Sequence, residues 1–173
     1  MAEALPPLPT LSGERLTLRP ARADDVEALA AILREPDVRT WWGRYDAARV
    51  RGDLAEIRSF AIEAEGTVEG WLHVHEEADP DWPNVAFDVF VSERLRGRGY
   101  GREALRTAIR WFAGERGHHR FTIDPSVDNA RAIRAYEAVG FRRVGVMRRY
   151  ERGPDGRWRD GLLMELIVEP PGA

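Results

Sequence analysis

The segment Arg96-Gly97-Arg98-Gly99-Tyr100-Gly101 interleaves two arginines with three glycines. Glycine lets a chain turn tightly and lets backbone N–H groups approach a ligand closely. A helix that begins just after such a loop offers unpaired N–H groups and the positive end of its dipole to an anion. With the two arginine charges added, this is the chemistry of a pyrophosphate cradle; a surface loop with solvated arginines is the plain alternative. Two familiar phosphate loops are excluded. Walker A needs GK[ST], which does not occur, and the dinucleotide fingerprint needs glycine where Arg102 stands, in a βαβ setting near the start of a parallel sheet.

Asp88 lies in the alternating run Val85–Val91, on the face of Ala86 and Phe90 and opposite Val85, Phe87, Val89 and Val91. A carboxylate in an otherwise apolar strand is costly unless partnered or solvated, and perturbed acids concentrate at sites. The alternative is a structural aspartate bonded to an arginine. Asp124 closes the next strand, at the sheet end where ligands gather, although aspartate before Pro125 also fits a turn. Tyr136 shares a helix face with Ile133 and reads, by itself, as core packing. Asn129 fits a helix cap. Trp41 and Trp42 either form an apolar wall over a ligand or pack between helices. Glu76, Glu77, Asp79 and Asp81 either attract polyamines or form a solvated loop. His73 and His75 alternate onto one strand face; without cysteine or an HExxH pattern they make no case for a metal, and none is expected.

The elements that must position these residues follow from periodicity. Leu16 and Leu18 alternate with Arg15, Thr17 and Arg19 as a strand. Asp24 is placed to cap a helix reaching about Arg34, with Pro36 near its end. A short helix is expected over Ala47–Ile57. Strands follow at Phe60–Ala64, Val68–His75 and Val85–Val91. Leu105, Ala108, Ile109 and Phe112 mark one face of a helix over Tyr100–Glu115. Then come a strand at Arg120–Ile123, a helix at Asn129–Val139 stopped by Gly140, and strands at Phe141–Tyr150 and Trp158–Val168 around a GPDG turn. The order predicts an α+β (mixed α/β) domain, mostly antiparallel early, with two crossover helices later.

Length and composition bound the rest. The 173 residues suit one domain, expected over residues 14–168, with a flexible tail at 1–13 and another at 169–173. A charged fraction of 32% and an apolar fraction of 43% describe a soluble globular chain. The net charge of -3 argues against a nucleic-acid binder. The absence of cysteine removes disulfides, thiolate zinc sites, iron–sulfur clusters and a cysteine acyl-enzyme. No leader and no apolar run of membrane length is visible, so no membrane partner is expected and a cytoplasmic location is the default.

In its second half the chain resembles the GNAT acetyltransferases. Arg96-x-x-Gly99-x-Gly101 matches that family's acetyl-CoA pyrophosphate signature, [QR]-x-x-G-x-[GA]. About 30 residues later, Asn129 to Phe141 matches N-x-x-A-x-x-x-Y-x-x-x-G-F. Within the family the chain is most similar to aminoglycoside 6'-N-acetyltransferases, through Trp41-Trp42-Gly43, the acidic stretch before the central strand, and Asp124-Pro125-Ser126 ahead of the Asn129 motif.

The resemblance implies a twisted, mostly antiparallel sheet of about seven strands flanked by about four helices. It implies acetyl-CoA as co-substrate, bound by Phe90, Val91, Arg96, Gly97, Arg98, Gly99, Tyr100, Gly101, Asn129 and Ala132. It implies Asp88 as catalytic base or amine anchor, and Tyr136 as the hydroxyl that protonates or hydrogen-bonds the coenzyme sulfur. The acceptor implied is a small-molecule amine, an aminoglycoside acetylated at the 6'-amino group, with Trp41, Trp42, Asp88 and Asp124 as substrate contacts. Acetyl transfer needs a neutral amine, whose ammonium form titrates near ~10, so an acidic, desolvated site or a base must help remove the proton. Rival acceptors are a protein N-terminus or a polyamine, and a non-catalytic acyl-CoA-binding module is the rival outside enzymology. A monomer and a homodimer are both compatible with the sequence.

Overall fold

The computed structural model describes residues 5–169. Its elements are β1 (Leu11–Ser12), β2 (Thr17–Pro20), α1 (Val26–Leu33), α2 (Pro36–Trp42), α3 (Ala47–Glu56), β3 (Arg58–Ala64), β4 (Thr67–Glu77), β5 (Asn84–Val91), α4 (Tyr100–Gly114), β6 (Arg120–Ile123), α5 (Ala130–Val139), β7 (Arg142–Arg152) and β8 (Trp158–Ile167). The strands form one eight-stranded sheet in the order β1-β2-β3-β4-β5-β6-β8-β7. Every pairing is antiparallel except β5 with β6.

Strand alternation divides the core between the two faces of this sheet. Phe60, Leu72, Val85 and Phe87 point to one face, where Leu105, Ala108 and Phe112 of α4 cover them. Trp71 and Phe90 point to the other, against Val26, Leu29 and Leu33 of α1, Val38 of α2 and Val50 of α3. Asp88 therefore faces the α1–α3 side, between the apolar layer and solvent.

The pairing of β5 with β6 is the feature that makes room for a site. It holds at two positions, Val85 with Phe121 and Ala86 with Thr122. Beyond them β5 runs on to Val91 while β6 ends at Ile123, so the sheet splits into a cleft. The backbone groups of residues 88–91 on that side have no ladder partner, and a polar ligand can supply one.

Several expectations are corrected. Leu11 and Ser12, assigned to the tail, pair with Leu18 and Thr17; a two-residue strand shows no periodicity to read. The remaining ends, residues 1–4 and 170–173, lie outside the described residues. The first helix ends at Leu33, capped by Arg34, just before Pro36 as expected, but Pro36 also opens α2 as its first residue, where its fixed φ and missing N–H are harmless. This adds a fifth helix and puts Trp41 and Trp42 on it. Asp24 is not the cap of α1. Its neighbour Asp25 is buried, accepts from the Arg22 N–H at 2.8 Å, and is bonded twice by Arg19. No helix among the described residues is long and apolar enough to cross a membrane.

Candidate active site

The cleft between β5 and β6 has a volume of roughly 520 Å³. It gathers Trp41 and Trp42 from α2, Asp88, Phe90 and Val91 from β5, Arg96, Gly97, Gly99, Tyr100 and Gly101 from the loop and first turn of α4, Asp124 from the end of β6, and Asn129, Ala132 and Tyr136 from α5. Residues 129–136 are scattered in sequence from Asp88, yet the crossover helices bring them to the same opening. Arg98 is the exception among the expected site residues. It does not line the cleft; its guanidinium donates to the Arg94 carbonyl at 3.4 Å and lies 5.8 Å from the Tyr100 ring.

The glycine loop has the backbone that its composition anticipates. Gly97 and Gly99 have φ of +74° and +88°, a region where a side chain is strained. Gly99 caps α4, and its carbonyl accepts from the Glu103 N–H at 3.0 Å. The N–H groups of Tyr100, Gly101 and Arg102 are therefore left without helical partners at the positive end of a fifteen-residue helix. Arg96 is already engaged: its two terminal nitrogens meet Asp37 at 2.9 Å and Glu35 at 3.0 Å. Arg131 of α5 reaches the same Asp37 at 3.1 Å. The cap reading of Asn129 holds, since its Oδ1 accepts from the Ala132 N–H at 3.1 Å.

Three carboxylates meet at the other end of the cleft. Asp88 and Asp124 were expected; Glu151 of β7 was not. Burial, opposed by a hydrogen bond from Tyr150 and reinforced by the Asp88 charge, holds Asp124 above the usual carboxylate range. The Tyr150 hydroxyl donates to Asp124 Oδ2 at 2.7 Å, and this bond pushes the tyrosine up to about 12. Glu151 is also raised, first by burial. Glu151 lines the cleft, and Tyr150 meets Asp124, beside an irregularity in β7: the register with β8 shifts between Met147 and Glu151, and Arg149 has φ +51°. Strand periodicity carries no signal for such a bulge.

Tyr136 packs against the α4-side core and borders the cleft. Burial raises its hydroxyl well above the ordinary tyrosine value, with the Asp88 and Asp124 charges adding to the effect; no hydrogen bond is among the influences on it. The hydroxyl keeps its proton at neutral pH and is free to donate it. Trp42 both packs against the apolar layer and borders the cleft. It meets His73 and Phe90 edge-on, at 5.1 and 4.9 Å between centroids, and also lines the opening. Glu76 leaves the acidic loop altogether: its side chain is fully buried, tied to Arg58, Arg116 and His118.

The two histidines differ sharply. His75 Nε2 is 3.0 Å from Asp88 Oδ2. Ligand-type atoms of His73, His75 and Asp88 lie within 4.8 Å of one another, close enough for a metal ion, but the His75–Asp88 hydrogen bond already satisfies two of the three. His73 is 3% exposed, and its Nε2 has no hydrogen-bond partner among the described residues. Burial pushes it down from 6.5 to about 4. The unfolded chain thus takes up this proton more readily than the folded protein. Stability is unaffected above pH ~6.5 and falls as pH drops from there toward ~4, by a full amount on the order of 3 kcal/mol. We expect the urea midpoint to drop more between pH 7 and pH 4.5 for the natural chain than for His73→Phe; equal drops would place the acid sensitivity elsewhere.

A sheet split between two parallel strands, with a glycine-rich turn and a helix N-terminus at its mouth, makes a cleft suited to an extended anionic ligand. Residues 15–142 match the family described as "Acetyltransferase (GNAT) domain", and the chain belongs to that family and is an N-acetyltransferase. An "Aminoglycoside N(6')-acetyltransferase type 1" of Klebsiella pneumoniae is 25% identical over 171 residues, covering 85% of this chain and 82% of the relative. Mycobacterium smegmatis RimJ, solved in complex with CoA-disulfide, superposes with a TM-score of 0.81 at 22% identity, covering 95% of this chain and 90% of that one. Spermidine N-acetyltransferase of Vibrio cholerae, solved with CoA and spermine, superposes with a TM-score of 0.76 at 18% identity, covering 88% and 95%.

Proposed function

We propose that the protein transfers an acetyl group from acetyl-CoA to a primary amine of an aminoglycoside, at the 6'-amino position, by direct attack within a ternary complex. The observation that carries the acceptor class is the convergence of Asp88, Asp124 and Glu151 on one end of the cleft. Three acids around one opening suit an acceptor with several ammonium groups far better than a lone amine. The 25% identical aminoglycoside relative supports the same choice. A chain without cysteine has no thiol for an acyl-enzyme, so direct attack is the economical route.

Acetyl-CoA brings the activated thioester. The chain supplies the free N–H groups at the start of α4 for the pyrophosphate, with Gly97 and Gly99 letting the backbone approach. Asp88 holds the acceptor ammonium and draws off its proton. Tyr136 donates to the departing sulfur. Because a thiol titrates near ~8.5, a thiolate leaves tolerably even without a donor. Tyr136→Phe, which keeps the ring packing, is therefore expected to lower single-turnover and steady-state rates together by a moderate factor, with acetyl-CoA affinity nearly unchanged. Unaltered single-turnover kinetics in the folded variant would leave Tyr136 a packing residue.

The same acidic end also accommodates a polyamine, the acceptor named for the Vibrio cholerae relative. Thiol release from acetyl-CoA with an aminoglycoside panel, spermidine and an N-terminal peptide decides among the acceptors. Turnover confined to aminoglycosides bearing a 6'-amine supports the proposal. Preference for spermidine or the peptide reassigns the acceptor, and acetyl-CoA binding without turnover on any of them reduces the chain to a binding module.

A further inference from the structure

Asp88 does not stand alone on β5. Across the β4–β5 pairing His73 is opposite Asp88 and His75 is opposite Ala86, all on one face of the sheet. The His75 ring reaches diagonally to Asp88 Oδ2 at 3.0 Å, a contact that long side chains make between strands. Both side chains stay near half exposure, at 49% and 42%, so this is a pair in contact with solvent at the cleft wall and not a buried structural bridge. Only one oxygen of the carboxylate is used by the ring. The other remains for a ligand.

We propose that His75 is the positioning residue for Asp88: it holds the carboxylate at the cleft through one N–H, and its protonation state decides whether that carboxylate can take up a cationic amine. This rests on the reading of Asp88 as the acid that meets the acceptor. With His75 neutral, the Nε2–H donates to Oδ2 and the pair carries one negative charge. With His75 protonated, the geometry survives but the pair is neutral, and an arriving ammonium meets a second cation beside its anchor. Proton uptake by His75 and acceptor uptake by Asp88 therefore exclude each other.

The surroundings set where this exchange occurs. Asp88 faces His75 from β5, and the charge of Asp124 acts on it from β6. His73 is its neighbour on β4, with ring centroids 6.4 Å apart, and stays neutral through most of the accessible range. Asp53 of α3 acts on His73, and Glu151 of β7 shares the field of Asp88 and Asp124. Glu76, next along β4, points to the opposite face, where Arg58 and Arg116 engage it. The hydrogen bond to Asp88 raises His75 above its ordinary 6.5, against the opposing effect of burial. The transition belongs to an imidazole raised above its ordinary value, far from where an isolated carboxylate would titrate.

The test is kcat/KM for the acceptor from pH 5 to pH 9 at saturating acetyl-CoA, together with the NMR titration of the His75 ring. The natural enzyme should lose about tenfold per pH unit below a midpoint above 6.5. His75→Gln keeps an N–H donor that cannot titrate. It should retain a rate within several-fold at pH 8 while losing that acid limb. His75→Leu, with no donor, should show a raised KM for the acceptor at every pH and an ordinary affinity for acetyl-CoA. The acceptor's own amine titrates identically in all three, so the difference isolates His75. The ring titration should fall toward 6.5 in Asp88→Asn. An acid limb unchanged in His75→Gln, or a ring titration indifferent to Asp88→Asn, overturns the proposal. A folded Asp88→Asn enzyme with nearly full rate overturns instead the reading of Asp88 on which it rests.

Discussion

Asp88→Asn is expected to lower kcat by roughly 10²–10⁴-fold, the usual cost of removing a well-placed proton acceptor, while acetyl-CoA still binds. The substitution keeps the shape of the side chain and leaves an amide oxygen to accept from His75, so the fold should hold. The structure also ranks the acids. Asp124 is already engaged by the Tyr150 hydroxyl at 2.7 Å, which occupies one of its oxygens from the protein side. Asp88 has one oxygen bonded and remains 42% exposed at the opening. Steady-state rates across pH 6–9 with calorimetry of coenzyme binding check this. An asparagine variant that keeps most of its rate would make Asp88 structural and move the search to Asp124.

Gly99→Asp should cripple the coenzyme side of the same reaction. With φ of +88° the position strains any side chain, at about 1–2 kcal/mol. A Cβ there would lie 3.3 Å from Arg102 Nη2 and 3.4 Å from Arg15 Nη2, so the new carboxylate would find cations and the protein should remain folded. The damage is to binding: a negative charge would sit on the cap of α4 and compete with the pyrophosphate for the open N–H groups. Loss of even one or two charge-assisted hydrogen bonds, at about 1.5–3 kcal/mol each, corresponds to roughly 10- to 10⁴-fold in affinity. Near-normal acetyl-CoA affinity in a folded Gly99→Asp protein would show that the loop serves another purpose. The glycine should matter more than Arg98, which lies outside the cleft.

What was legible in the sequence was local. The α4 face of Leu105, Ala108, Ile109 and Phe112, the loop of alternating glycines and the Asn129 cap each repeat at short spacing, and the structure has them where they were read. The missed parts depend on long-range pairing. Glu151 in the cleft and the Tyr150 bond to Asp124 lie beside a bulge in β7, and the His75–Asp88 contact needs the β4–β5 register, which no single strand reveals. α2 was missed for a different reason: Pro36 can stop one helix or start the next, and the choice lies in how Val38 packs against α1.

The ion pairs of Arg96 carry a consequence for selectivity. A glycine loop dressed with arginine would, if left bare, collect any polyanion in reach. Here the loop is self-masked: Glu35 and Asp37 at the junction of α1 and α2 neutralise Arg96 in advance, and Arg131 shares Asp37. To reach the Arg96 guanidinium, an incoming anion must trade places with carboxylates already seated. A small phosphate or a stretch of nucleic acid gains little from that exchange, because ion-pair strength is merely swapped. A ligand that also fills the split between β5 and β6 with backbone hydrogen bonds and apolar contact gains enough to displace them. The mask thus turns a general attraction for negative charge into a demand for length and shape.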